Sequence, residues 1–210
     1  MADLSLNEIL ILITTLVSIL AFRNYELLNK LLMNPYLINR RQEYWRFITS
    51  GFIHADFGHL FFNMFTLYSF GNMMESVYNQ ISPVNGPLLY LLLYIGGIIV
   101  SDLPSFFKHK NNFNYNSLGA SGGVSSVLFA AILFAPTQSL HIYGVIPVPA
   151  VLFALLYTWY SIYMSRRSMD NINHDAHLYG ALYGVIITII IYPKVLMIFT
   201  EQILDWLRGF

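Results

Sequence analysis

Six long apolar stretches punctuate this chain, and few architectures can accommodate them. They run from about Leu6 to Phe22, Gly58 to Val77, Pro87 to Leu103, Ala120 to Ala135, Tyr143 to Met164 and Ala176 to Phe199. A helix crossing about 30 Å of hydrocarbon needs roughly 20 mostly apolar residues, and each stretch is of that order. Charge points the same way. Only 10% of the 210 residues are charged, against about 25% in a soluble domain, too few to coat a soluble fold of this size. Lipid must cover much of the outside. The expected fold class is all-α: one polytopic bundle of six transmembrane helices in a single domain over residues 1–210.

Several chemistries drop out at once. The chain has no cysteine, so disulfides, thiolate nucleophiles and Cys-ligated zinc are excluded. Net charge is zero with no basic run, which argues against nucleic acid as a partner. His54 and His59 are five residues apart, about 140° around a helix, and no H-E-x-x-H occurs, so neither a metal nor a cofactor is expected. No internal repeat suggests a transporter. The opening Met-Ala-Asp-Leu has neither a positive region nor a small-residue cleavage site, so it is not expected to be a signal peptide.

The connections divide by character. The first, about Arg23 to Ile53, carries five Lys/Arg with Tyr44 and Trp45, as a structured loop in the headgroup zone would. The third, about Pro104 to Leu118, is rich in asparagine, and the fifth, about Ser165 to Asp175, is polar. Residues 200–210 alternate acidic and apolar side chains, the pattern of a short surface helix. Pro147 and Pro149 fall inside the fifth stretch. They predict either a tolerated kink or a deformable helix that moves for substrate entry.

Polar groups inside membrane helices are costly and mark function by default. Three places stand out. His59 and Asn63 are four apart on the second stretch, and the same face continues through Leu67, Gly71 and Glu75. His54 precedes them by about a turn and reads as structural. Ser117-Leu-Gly119-Ala-Ser121-Gly122-Gly123 opens the fourth stretch, where a hydroxyl meets free backbone N–H groups and the positive end of a helix dipole. Asp175-Ala-His177-Leu-Tyr-Gly180-Ala-Leu-Tyr-Gly184 opens the sixth, with His177, Gly180 and Gly184 on one face. Each place alone is better served by helix packing: interhelical hydrogen bonds, an N-cap, a small-residue seam. One arrangement accounts for all three. Ser121 attacks a carbonyl, His177 takes its proton, and Asn63 with His59 donates to the oxyanion.

These residues resemble the rhomboid family. Trp45-Arg46 matches the first-loop pair. His54, His59 and Asn63 match H-x4-H-x3-N, and Gly71 with Glu75 matches a later G-x3-E. Gly119-Ala120-Ser121-Gly122 matches G-x-S-G, and Ala176-His177 with Gly180 and Gly184 matches A-H-x2-G-x3-G. The match covers about residues 40–190, and it implies that His54, Gly119, Gly122, Gly180, Gly184, Trp45, Arg46 and Glu75 are structural residues near the site. It implies a Ser121–His177 dyad without a catalytic acid, so Asp175 is expected to be a loop or cap residue. It implies hydrolysis of peptide bonds in or beside transmembrane segments, with transmembrane proteins and lipid as partners. It also implies a water-filled cavity lined by Asn63 and His59 and gated by the fifth helix and loop.

Two positions depart from the family. An aromatic that stacks on the catalytic histidine in some relatives, four residues after the nucleophile, is Ser125 here; Tyr179 and Phe129 are candidate substitutes. The family orientation, N-terminus inside, would put nine of the eleven Lys/Arg in outer loops, including Arg166 and Arg167, whereas the positive-inside rule predicts the reverse. The bare six-span core suggests a bacterial inner membrane. A soluble α/β-hydrolase would need a strand before the serine, and Asn-rich loop stands there instead. A pseudoprotease that holds membrane clients without cutting them is the remaining alternative. Such relatives usually lack the serine or the histidine, and both are present here.

Overall fold

The computed structural model describes residues 4–142, 145–165 and 173–209. Tyr143, where the fifth stretch was expected to begin, and residues 166–172 of the fifth loop, with Arg166 and Arg167, lie outside them. The chain is an all-α bundle with one small hairpin. Helix α1 (Leu6–Arg23) leads into three short helices, α2 (Tyr25–Leu31), α3 (Pro35–Arg41) and α4 (Arg46–Thr49), followed by a 3-10 turn at Ser50–Phe52. Then come α5 (Phe57–Ile81), α6 (Gly86–His109) and α7 (Ser121–Phe134). The hairpin β1 (Ser139–Ile142) and β2 (Ile146–Pro149) precedes α8 (Ala150–Ser165), α9 (His174–Ile191) and α10 (Val195–Arg208).

Among the described residues, α1, α6 and α9 are long and apolar enough to cross a membrane, while α7 and α8 are apolar but shorter. The chain is an integral membrane protein. Helix α5 has the length, 25 residues, but carries the polar stripe. That stripe is explained at its far end. The Glu75 carboxylate accepts from the backbone N–H of Leu6 (2.9 Å) and Asn7 (2.8 Å), which satisfies two orphan donors at the start of α1. Buried Asn7 donates to Leu67 O and Asn72 Oδ1 and accepts from the Tyr90 hydroxyl. A side chain at Gly71 would occupy that space. Glu75, expected near the site, is twelve residues beyond Asn63 on the same helix, about 18 Å away, and it locks α1 antiparallel to α5.

The first loop is structured, as its composition suggests. Buried Arg46 donates from Nη1 to the carbonyls of Asn29 and Leu32, at 2.8 and 2.7 Å, and from Nε to Glu43 at 2.6 Å. It thereby caps the C-terminus of α2 with a paired cation. Trp45, half-exposed, sits just ahead of α4.

Two expected spans are corrected. Pro147 and Pro149 are not in a helix: both lie in β2, opposite His141 and Ser139. Proline lacks an N–H and disrupts a helix interior, but a two-stranded ribbon has free edges that tolerate it. Helix α8 therefore begins only at Ala150, and neither the kink nor the proline hinge exists. The sixth stretch is likewise two helices, because Pro193 cannot continue α9. The surface helix expected from residue 200 starts earlier, at Val195. Lys194, Glu201, Asp205 and Arg208 share one of its faces, and Leu196, Met197, Leu204 and Leu207 are exposed on others, the segregation of an interfacial helix.

Helix α7 is the centre of the bundle. All but two of its 14 residues are buried. Small residues allow this enclosure. A Cβ at Gly97 would lie 2.6 Å from Ser126 Cβ, and one at Gly122, a turn earlier on α7, would meet the side chain of Ser101, a turn later on α6, so α6 runs antiparallel against one side of α7. A Cβ at Gly180 would lie 2.2 Å from Gly122 O, and one at Gly184 would lie 2.1 Å from Ser126 O, so α9 runs parallel along the other side.

Candidate active site

Ser121 is the first residue of α7, half-buried, with Ala120 at the cap position. The α7–α9 contacts keep one register. Continued one turn toward the N-termini, it brings His177 level with the Gly119–Ser121 segment. Asn173 caps α9 by accepting from Ala176 N at 3.1 Å. It also donates to Ser105 of α6 at 2.9 Å, which fixes where α9 starts. Asp175 accepts from the Ser165 hydroxyl at the end of α8, a link between α8 and the first turn of α9.

The depth of Ser121 follows from length. Fourteen residues make about 21 Å of helix, against roughly 30 Å of hydrocarbon. At the other end of α7, Gln202 of the interfacial helix α10 donates to Phe134 O at 2.8 Å. With that end at one interface, Ser121 stops about 9 Å short of the other.

His59 and Asn63 occupy the start of α5. The Asn63 amide donates to His59 O at 2.8 Å, which leaves its second N–H uncommitted to that bond. Asp56 caps the helix by accepting from His59 N at 2.8 Å. The His59 ring lies against Gly119: a Cβ there would be 2.7 Å from His59 Cε1. Gly119 also has φ of +121°, a conformation that side chains rarely adopt. It donates to Ser50 O at 2.9 Å. Glycine at 119 thus serves a backbone bend and a close ring contact together, and it brings α5 to the loop that carries Ser121.

His54 is fully enclosed behind this loop, at 1% exposure. Its Nε2 accepts from Ala120 N at 3.4 Å, so its Nδ1 carries the proton and donates to Ser18 Oγ at 2.9 Å. The Ser18 hydroxyl passes the chain on to Phe52 O. The His54 ring meets His59 edge to face at 5.0 Å. Burial, reinforced by neighbouring His59 and opposed by Asp56, pushes the imidazole down from 6.5 to about 3. An unfolded histidine titrates near 6.5, so between those values the unfolded chain binds the extra proton. The stability that neutral His54 supplies is complete above pH 6.5 and drains away as pH falls toward 3. The melting temperature of the detergent-purified chain is therefore expected to drop between about pH 7 and about pH 4.5. His54→Gln, which cannot titrate, should flatten that dependence; an equally steep drop in the variant would remove His54 as its cause.

One residue of this cluster is invisible to motif reading. The Tyr157 hydroxyl of α8 bonds Ser125 Oγ at 2.8 Å, and its ring stacks on His177 with centroids 6.1 Å apart and planes inclined by 21°. The aromatic partner of His177 is thus neither Tyr179 nor Phe129. Tyr179 is 41% exposed, and Phe129 packs on Tyr157 itself, at 5.6 Å. The one sequence signal was the small hydroxyl at position 125, which leaves room for a ring from elsewhere.

Residues 41–194 match the family model described as Rhomboid domain. The chain is 29% identical over 154 residues to RHOMBOID-like protein 12, mitochondrial, of Arabidopsis thaliana, covering 66% of this chain and 44% of that one. It is 31% identical over 166 residues to Rhomboid-like protein 11, chloroplastic, of the same plant, covering 72% and 54%. To the candidate rhomboid protease YdcA of Bacillus subtilis (strain 168) it is 26% identical over 155 residues, covering 72% and 69%. The chain thus spans about half the length of the two plant relatives.

Proposed function

The chain belongs to the rhomboid family, and from that premise we propose that it is an intramembrane serine endopeptidase cutting transmembrane segments of other membrane proteins. The observation that carries the reading is the backbone contact of Gly180 with Gly122 and of Gly184 with Ser126, a register that draws the first turn of α9 to the first turn of α7. In the proposed reaction His177 removes the proton from Ser121 Oγ as that oxygen attacks the scissile carbonyl carbon. The negative charge passes to the carbonyl oxygen, where the Ser121 N–H, Asn63 Nδ2 and His59 are the proposed donors. His177 returns its proton to the leaving amine as the C–N bond breaks. Water, deprotonated by the same imidazole, then releases the acyl group from Ser121. The shortness of α7 and the polar start of α5 favour water reaching a serine that lies below the interface.

Asn63→Ala is expected to slow cleavage by about 10²–10³ while leaving substrate affinity near wild type, because an oxyanion donor acts mainly in the transition state. Steady-state cleavage of a model transmembrane substrate checks this, and a change confined to KM would reassign Asn63 to binding. The same assay tests the whole reading. A folded chain that retains such a substrate and never cuts it would be a client-binding relative. The proposed location is a bacterial plasma membrane, on the alignment that covers 69% of the Bacillus chain.

A further inference from the structure

Helix α8 is the least embedded of the helices that meet around the candidate site. Of its 16 residues only Ala150 and Ser161 are buried, while Leu155, Leu156 and Trp159 are exposed to the surroundings. Yet it sends one polar atom into the centre of the molecule. Ser125, the residue that receives the Tyr157 hydroxyl, is 4% exposed and sits one turn after Ser121 on α7. The Tyr157 ring lies on His177 of α9 and is backed by Phe153, one turn earlier on α8, with centroids 5.8 Å apart. A second ring of α8 reaches the same imidazole indirectly. Tyr160 meets His174 edge to face at 5.6 Å, and His174 meets His177 the same way at 5.8 Å. The imidazole therefore stands between a ring of its own helix and a ring of α8, and the less embedded of the two helices supplies the stacking surface.

We infer that Tyr157 is a positioning residue for His177, and that the orientation of this imidazole is conditional on α8 being docked. The inference rests on the proposed role of His177 as the base. A histidine ring has two torsions to settle, and backbone geometry fixes neither. A neighbouring ring restricts the tilt of the imidazole plane, and the Tyr157–Ser125 bond fixes that neighbouring ring against α7, the helix of the nucleophile. Ser125 is itself buried, so the bond ties the ring to a fixed point of that helix. Withdrawal of α8 takes Tyr157 with it and removes this stacking surface from the imidazole, so that proton removal from Ser121 depends on the seating of α8.

The test uses the full chain in detergent, the rate of covalent labelling by a fluorophosphonate, and the ¹H–¹³C resonance of His177 Cε1. Tyr157→Phe keeps the ring and loses the Ser125 bond; labelling is expected within about fivefold of wild type. Tyr157→Leu removes the ring; labelling is expected to slow by roughly 10–100-fold, as misplacement of a catalytic group by about 1 Å does. The His177 resonance should also lose its ring-current shift. The decisive variant is the pair Ser125→Tyr with Tyr157→Ala, which supplies the ring from α7 instead. It should recover both the rate and the shift. Tyr157→Leu that labels at the wild-type rate with an unmoved His177 signal overturns the inference. So does a folded pair variant that stays as slow as Tyr157→Leu. If the folded wild type does not label at all, the proposed catalysis fails. The resonance still decides the stacking, because a signal unchanged in Tyr157→Leu shows that the ring does not hold His177.

Discussion

Ser121→Ala and His177→Ala are each expected to abolish fluorophosphonate labelling of the detergent-purified chain, with circular dichroism and elution volume unchanged. A serine hydroxyl is a weak nucleophile at neutral pH and needs a base within reach. Ser121 is half-buried at the mouth of a helix whose first N–H groups have no intrahelical partner. Loss of the oxygen removes the covalent step altogether. Loss of the imidazole leaves the oxygen un-ionised, and where nucleophile and base act as a unit, removing either costs on the order of 10⁴–10⁶ in rate. The two variants should therefore be equally dead, and the double variant no worse than either. Labelling that survives His177→Ala would identify a different base. Asp175, held by Ser165, would then be tested next. A well-folded wild type that neither labels nor cleaves would move the protein to the client-binding class and leave the G-x-S-G segment as a helix cap.

The second large effect is on folding. Gly184→Val is expected to lower stability by about 3 kcal/mol or more, and Gly180→Val by a similar amount. An added Cβ at either position would meet a backbone carbonyl of α7, at 2.1 and 2.2 Å. Carbonyls of a central helix cannot rotate aside as a side chain can, so α9 must separate from α7. Ser126, the residue against Gly184, is itself pinned from the other side, where it donates to Leu93 O at 3.0 Å and abuts Gly97. Strain at Gly184 is therefore passed to α6 as well. A melting temperature lower by roughly 10 °C in detergent would match that cost for a chain of this length. Gly58→Ala is the control, since a Cβ there would meet only the Asp56 carboxylate, at 3.2 Å. A Gly184→Val protein as stable as that control would show that α7 and α9 do not touch through their backbones.

Spans α1, α5, α6 and α7 were legible because apolar periodicity and length speak directly to lipid. So were the structured first loop and the surface helix at the end. The fifth and sixth stretches were misread for one reason. Hydropathy counts proline as an acceptable neighbour, whereas Pro149 ends a strand and Pro193 separates two helices through the absence of an N–H. Glu75 was recognised by its motif and given the wrong surroundings. Its partners are the N–H groups of Leu6 and Asn7, and no spacing rule connects positions 68 and 69 residues apart. Tyr157 was missed outright, since one tyrosine among 15 in an aromatic helix carries no signal of its own.

The solvent and the parts were written in the chain. Apolar lengths fixed a membrane bundle, and the rarity of charge made each buried polar residue conspicuous. The order of Asn63, Ser121 and His177 on the second, fourth and sixth spans pointed to the family. How those parts meet came from packing: the register of α7 on α9 through Gly122 and Ser126, the enclosure of His54 against Ala120 N, and the ring that comes to His177 from α8. The physical reason is range. Burial and helix formation depend on a few neighbouring residues and leave a local pattern, while the contacts that aim a reactive side chain join helices distant in sequence and are set by packing alone.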